Sequence, residues 1–192
     1  MTTPQTIFNA LRGTWTLHRT LTSAIPSFPS GTFTGTATLT PHPPSTSHPP
    51  TSLLYSESGE LKTDTGLILR ANKKYIYQYD EKKDKISAWF VKEPSSQTQN
   101  RNTDNTNPNE EAAVEQADYL FHELILAPDS TATKSTISDC RMTATGDHLC
   151  IKDNYAARYA FEFENGELKW WSLRYNVSGP SKDYISSTVF RR

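Results

Sequence analysis

The sequence predicts an all-β fold: a single antiparallel up-and-down β-barrel of about ten strands with a short N-terminal helix. Three observations predict it. Ser and Thr make up nearly a quarter of the 192 residues, and Thr favours half-exposed pleated positions. Apolar and polar residues alternate with period two in segment after segment, whereas helical periodicity is almost absent. The segments are short and separated by turn residues, the pattern of a sandwich or an antiparallel barrel.

The helix comes first. Thr3 is placed to cap it, Pro4 suits its first position and Gly13 follows as a stop. Ile7, Phe8 and Leu11 give Thr3–Leu11 one apolar stripe, which predicts a plug or lid. Alternation then takes over. In Thr14–Leu21, Trp15, Leu17, Arg19 and Leu21 share a face. In Thr32–Thr40, five threonines point one way and Phe33, Gly35, Ala37 and Leu39 the other, so one side is wet. The small Gly35 and Ala37 leave room for bulkier residues opposite. Further strands are predicted over Ser52–Glu57, Gly66–Arg70, Tyr75–Tyr79, Ile86–Val91, Tyr119–Leu126, Ser135–Met142, His148–Asp153, Tyr155–Phe163, Leu168–Val177 and Asp183–Phe190.

Two hairpins can be registered. Lys82-Lys83 at one tip sets Tyr75, Tyr77 and Tyr79 opposite Phe90, Ala88 and Ile86. Asn165-Gly166 is a two-residue turn signal that pairs Phe163 with Leu168, Phe161 with Trp170, Tyr159 with Ser172 and Ala157 with Arg174. This second hairpin has two apolar faces. The reading adopted turns Tyr159, Phe161 and Trp170 inward, with Ser172, Arg174 and Asn176 continuing the wall. Cover from the helix or a partner, or a bulge near Trp170-Trp171, would account for the other face. Pro41–Thr51 is read as a polyproline-like loop, and residues 94–116 as a polar, disordered insertion ending in a marginal helical turn. Neither breaks the single domain, 1–192.

Composition excludes several classes. The formal net charge is −1, with 20 basic and 21 acidic residues, so no basic face for nucleic acid is expected. No apolar run approaches the roughly 18 residues of a membrane helix. The N-terminal residues lack a basic start and a long apolar run, which predicts a cytoplasmic protein. P-loop, Rossmann, Gly-x-Ser-x-Gly and EF-hand signatures are missing, and no cofactor is expected.

Gly13-Thr14-Trp15, after a short helix and opening the first strand, resembles the G-x-W signature of the lipocalin and wider calycin superfamily. With Phe121-His122-Glu123-Leu124, His148-x-Cys150-x-x-Asp153-x-Tyr155 and Gly179-Pro180-x-Lys182-Asp183-Tyr184, nearly the whole chain resembles a family of small bacterial and fungal proteins known only as a domain of unknown function. The resemblance implies a lipocalin-like barrel and transfers no activity; the two polar loops suggest a fungal member. In lipocalins the signature tryptophan packs at the closed end, often under an arginine. Arg19 lies about 13 Å along the strand from Trp15, too far to stack on it, which leaves the role of Arg19 open and makes Arg191 or Arg192 of the last strand an alternative for that contact.

The candidate chemistry follows from this barrel. Arg19 shares the face of Trp15 and offers a planar fork to a carboxylate or enolate. His122 shares a face with Leu124 and is a candidate general base, acid or haem ligand. Lys182 and Asp183, at the Gly-Pro turn, are a candidate catalytic pair. Tyr77, Tyr155, Tyr159, Phe161, Trp170 and Arg174 complete a ligand-binding wall with Cys150. His148 and Cys150 share a face, but no second ligand pair supports a metal site. If Ala144-Thr145-Gly146 is a hairpin loop, Cys140 lies opposite Cys150; a reducing compartment argues against a disulfide there. The functional expectation is a barrel that binds a small hydrophobic or amphiphilic molecule. Its alternatives are a cofactor-independent isomerase or cyclase using the same pocket, and a nitrobindin-like haem barrel.

Overall fold

A computed structural model describes residues 2–26, 28–43, 51–92, 115–128 and 140–192. A short helix, α1 (Pro4–Ala10), precedes ten strands: β1 (Gly13–Ser23), β2 (Gly31–His42), β3 (Thr51–Thr63), β4 (Ile68–Asp80), β5 (Lys85–Val91), β6 (Ala117–Pro128), β7 (Cys140–Cys150), β8 (Asp153–Glu164), β9 (Glu167–Ser178) and β10 (Tyr184–Arg191). Each strand pairs antiparallel with the next and β10 closes on β1, giving an up-and-down barrel. The fold class read from the alternation is the one observed.

The helix is built from the residues that predicted it. Thr3 caps it, its side chain accepting from the Thr6 amide at 3.2 Å, and Pro4 opens it. Ile7, Phe8 and Leu11 are buried across one end of the barrel, with the Phe8 ring 5.8 Å from that of Tyr79. This closed end is filled by buried aromatic rings. Trp171 stacks on Phe190 and meets Trp15 edge-on, and Trp15 Nε1 donates to the Leu11 carbonyl at 2.9 Å. Arg192 lies over the Trp15 ring at 4.1 Å and donates to the Ala10 carbonyl at 2.9 Å, tying the last residue to the plug. Trp15 sits opposite Ala37 and Leu17 opposite Gly35, so the small residues of β2 do make room.

Several boundaries differ from the sequence reading. The segments expected at Gly66–Arg70 and Tyr75–Tyr79 merge into one strand, β4, which starts at Ile68 after a turn at Gly66, because Ala71, Lys73 and Tyr75 continue a single face through the polar Asn72-Lys73-Lys74 run. His148 and Met142 likewise belong to one strand, β7, which runs straight through Ala144-Thr145-Gly146. Its turn is Ile151-Lys152, with Ile151 at φ 61°. A β-branched residue in the left-handed region is no turn signal, which is why the glycine misled. Cys140 and Cys150 therefore lie at opposite ends of one strand, about 33 Å apart, and cannot form a disulfide. Pro41 and His42 pair with Leu53 and Ser52, so the ends of the Pro-rich segment belong to the sheet. Residues 44–50, 93–114 and 129–139 lie outside the described ones, and with them most of both predicted loops and the start of the strand expected at Ser135.

The Lys82-Lys83 hairpin has the expected register, with Tyr75, Tyr77 and Tyr79 opposite Phe90, Ala88 and Ile86. The Asn165-Gly166 turn is also as expected, both residues having positive φ. Beyond it the register shifts by one residue between Glu162 and Phe163, because β9 carries one extra residue. Phe161 thus faces Trp171 rather than Trp170, and Tyr159 faces Leu173. The bulge resolves the two apolar faces of this hairpin: Tyr159, Phe161, Trp171, Leu173 and Val177 are buried, while Arg174 is exposed. Trp170 lies on the outer surface, where Arg141 covers its ring at 5.5 Å.

Candidate functional site

The end of the barrel away from α1 holds a cavity of about 240 Å³. Strand alternation delivers its walls. β3 and β4 contribute Tyr55, Tyr75 and Tyr77, β6 contributes Phe121, and β8, β9 and β10 contribute Tyr155, Tyr175 and Tyr184. Phe121 stacks between Tyr75 (5.7 Å, 12°) and Tyr175 (5.5 Å, 29°), forming one continuous aromatic wall. At the mouth, Phe28 of the β1–β2 loop stacks on Tyr184 at 4.8 Å.

The opposite wall is charged. Arg19 of β1 reaches across β2, where Phe33 lies beneath its guanidinium at 5.2 Å, to Glu57 of β3. The two make a bidentate pair, Nη1 and Nη2 donating to the carboxylate at 2.7 and 2.6 Å, while Nε donates to the Thr188 hydroxyl at 2.8 Å. The Tyr55 hydroxyl also donates to Glu57. Burial opposes charge on both partners, but the hydrogen bonds and mutual attraction outweigh it: the Glu57 carboxyl is held below its usual range and Arg19 is driven further up. Arg19 thus lines the cavity as expected, with its fork already closed on an internal carboxylate. Lys73, directly across the ladder from Glu57, also lines the cavity.

Beneath the cavity, His122 is buried, its Nε2 at 2.8 Å from the Tyr159 hydroxyl, which lies 3.4 Å from that of Tyr77. Burial lowers the His122 pKa to about 4, so the ring is neutral at ordinary pH and holds Tyr159 in place. Tyr77 is both a member of this chain and a cavity wall; His122, Tyr159 and Phe161 are not among the cavity-lining residues. Burial pushes the Tyr77 phenol up to about 12.

A second polar group sits at the rim. Lys182 donates to the Tyr155 hydroxyl at 2.6 Å, and this bond raises the lysine pKa, so Lys182 is a fixed cation rather than a base. Burial, with Tyr155 close by, pushes the Tyr184 phenol up. Asp153 is buried and accepts from the Ser181 amide at 3.0 Å. A Cβ at position 179 would lie 2.2 Å from the Asp153 Oδ1, so only glycine allows this turn to press on β8. His148 rests against Phe121 at 5.2 Å and Tyr155 at 6.2 Å. Cys150 is half-buried at the same rim, opposite Asp153, and Asp183 is exposed beside Lys182. Among the described residues no group of three or more His, Cys, Asp and Glu is arranged to hold a metal ion.

Two motifs about 30 residues apart in the chain, His148–Tyr155 and Gly179–Tyr184, thus form one structural unit at the open end. A sequence family described only as a family of unknown function, DUF6314, matches residues 11–192, a span that includes both. The chain belongs to the DUF6314 family. No curated protein and no solved structure matches it. In this DUF6314 chain no described helix is long and apolar enough to cross a membrane.

The structure brings Arg19, Tyr77 and Tyr155 to the cavity, with Lys182 bound to Tyr155 at its edge. It takes Trp170 and Arg174 to the outside, through the β9 bulge. Sequence reasoning missed Glu57, Lys73, Tyr75, Tyr175 and Tyr184 as cavity residues. A signal existed for Glu57: Leu53, Tyr55 and Glu57 share a face, so the alternation carries a carboxylate into the barrel, where an inward arginine is needed to compensate it.

Proposed function

We propose that the barrel binds a small, largely apolar molecule at its open end. The observation that carries this reading is a cavity of about 240 Å³ with aromatic walls and a single charged side. Binding sites for small molecules have this composition, apolar surface for affinity and a few fixed polar groups for orientation. The closed end supports a calycin-type kinship, because Arg192 over Trp15 supplies the arginine that the G-x-W likeness calls for. The reading is tested by titrating the protein with 1-aminoanthracene, a fluorescent apolar probe. Saturable enhancement is expected for the wild type and its loss in Leu173→Trp, which fills the cavity, with an unchanged far-ultraviolet spectrum. A wild-type protein that shows no saturable binding would overturn it.

One observation favours an isomerase or cyclase as the second reading. Lys182 donates to the Tyr155 hydroxyl oxygen, which leaves the phenol proton free to be donated into the cavity. In that case Tyr155 is the acid and Lys182 supports it. His122 suits neither proton transfer nor haem ligation, since Nε2 is engaged by Tyr159 and the ring is not part of the cavity wall.

A further inference from the structure

Within the cavity wall the charges do not balance. Among the described residues Glu57 is the only carboxylate there, and both its oxygens are taken by Arg19, with Tyr55 as a third donor. Lys73 is the remaining charged group of the wall. It lies on the Tyr75 and Tyr77 face of β4, at the solvent-exposed mouth of the cavity, and among the described residues no hydrogen bond or ion pair within 4 Å holds its ammonium. At the rim Lys182 is offset by Asp153 and Asp183, so the uncompensated charge is the one in the wall, where among the described residues Arg19 and Lys73 face the single carboxylate of Glu57. A low-dielectric, aromatic-walled cleft focuses such a field.

From this juxtaposition we infer that the ligand is an organic acid with a flat, conjugated body, whose anionic group pairs with Lys73 while the body lies against the Tyr75–Phe121–Tyr175 wall. The inference rests on the cavity reading above and adds the charge and shape of the guest. Two further observations agree with it. Desolvation by the surrounding wall, then repulsion from Arg19, outweighs the attraction of Glu57 and depresses the ammonium of Lys73 even though its side chain reaches solvent, so the site gains by acquiring an anion. Three successive rings, with centroids 5.7 and 5.5 Å apart, give the cavity an aromatic flank against which a conjugated partner can stack or pack edge-on. Arg19 cannot serve as the anchor without releasing Glu57 into the barrel as an unpaired buried charge, which is costly.

The test compares 2-naphthoate with its neutral counterpart 2-naphthalenemethanol, by fluorescence titration of the full chain and of two variants. Lys73→Met removes the cation at the cavity mouth; Lys62→Met removes an exposed, outward-facing one from the same hairpin. The wild type is expected to prefer the naphthoate by about 10-fold or more. Lys73→Met is expected to erase that preference without weakening the alcohol, and Lys62→Met to retain it. Equal affinities in the wild type, or a preference that survives in both Lys73→Met and Lys73→Gln, would overturn the inference while leaving the cavity reading in place. If neither probe binds, both fall.

Discussion

The most consequential side chains are ionisable groups whose neighbours decide their charge. Glu57 is almost fully buried, and its carboxylate is tolerable only because Arg19 clamps both oxygens. Removing one partner of such a pair strands the other; Glu57→Gln is expected to cost about 3 kcal/mol in urea unfolding, at the low end for a buried pair because Arg19 keeps some exposure. His122 behaves in the opposite sense. Its folded-state pKa, about 4, lies below the unfolded value near 6.5. The unfolded chain therefore takes up the proton first as pH falls. His122 favours the folded state fully above pH 6.5, and that contribution, about 3 kcal/mol, is lost progressively down to about pH 4. Unfolding free energies measured across this window should show the slope in the wild type and a flatter profile in His122→Gln. Glu57, with its folded pKa depressed, adds stability above the ordinary carboxylate range and loses it as pH falls through its lowered folded value, at the acid end of the same titration.

Among the elements, the β8–β9 hairpin shows how one residue sets the facing of a strand. Lys169 and Trp170 both lie on the outside of β9, and the extra residue there turns Trp171, Leu173, Tyr175 and Val177 inward. Deleting Lys169 removes the bulge and keeps that inward set, so the variant should fold, with near-ultraviolet circular dichroism like that of the wild type. Deleting Ser172 turns Arg174 inward and Leu173, Tyr175 and Val177 outward, so this variant should lose its near-ultraviolet signal and cooperative unfolding. A folded Ser172 deletion would show that the bulge does not set the register. The turn chemistry of this hairpin was legible in Asn165-Gly166, whereas the bulge was legible only as a conflict, two apolar faces on one strand. In β7 the misreading had a different origin: Gly146 resembled a turn because glycine punctuates sequence locally, while the real turn rests on Ile151, a residue whose positive φ is imposed by its surroundings.

At the scale of the whole molecule, closure separates two ends with different work. The α1 end is filled by tryptophan and phenylalanine and sealed by Arg192. The other end keeps a hollow, because its inward residues are tyrosines whose hydroxyls, with Arg19, Glu57 and Lys73, need polar partners instead of close packing. Here too β4 outruns β5: Ile68–Lys74 is laddered to β3, and pairing with β5 begins at Tyr75. Exposed apolar side chains gather around this rim, among them Phe28, Leu67, Ile68, Tyr119 and Ile151. The amino-acid order by itself determined the all-β class, the helix with its cap, the wet and dry faces of most strands and the register of the Tyr75–Phe90 hairpin. All of these follow from period-two patterning and turn residues within a few positions of one another. Tertiary structure alone decided that Arg19 meets Glu57, 38 residues away, that the His148 and Gly179 motifs join at the rim, and that Trp171 rather than Trp170 enters the core. These depend on registers accumulated around a closed sheet, where a single extra residue changes what faces what.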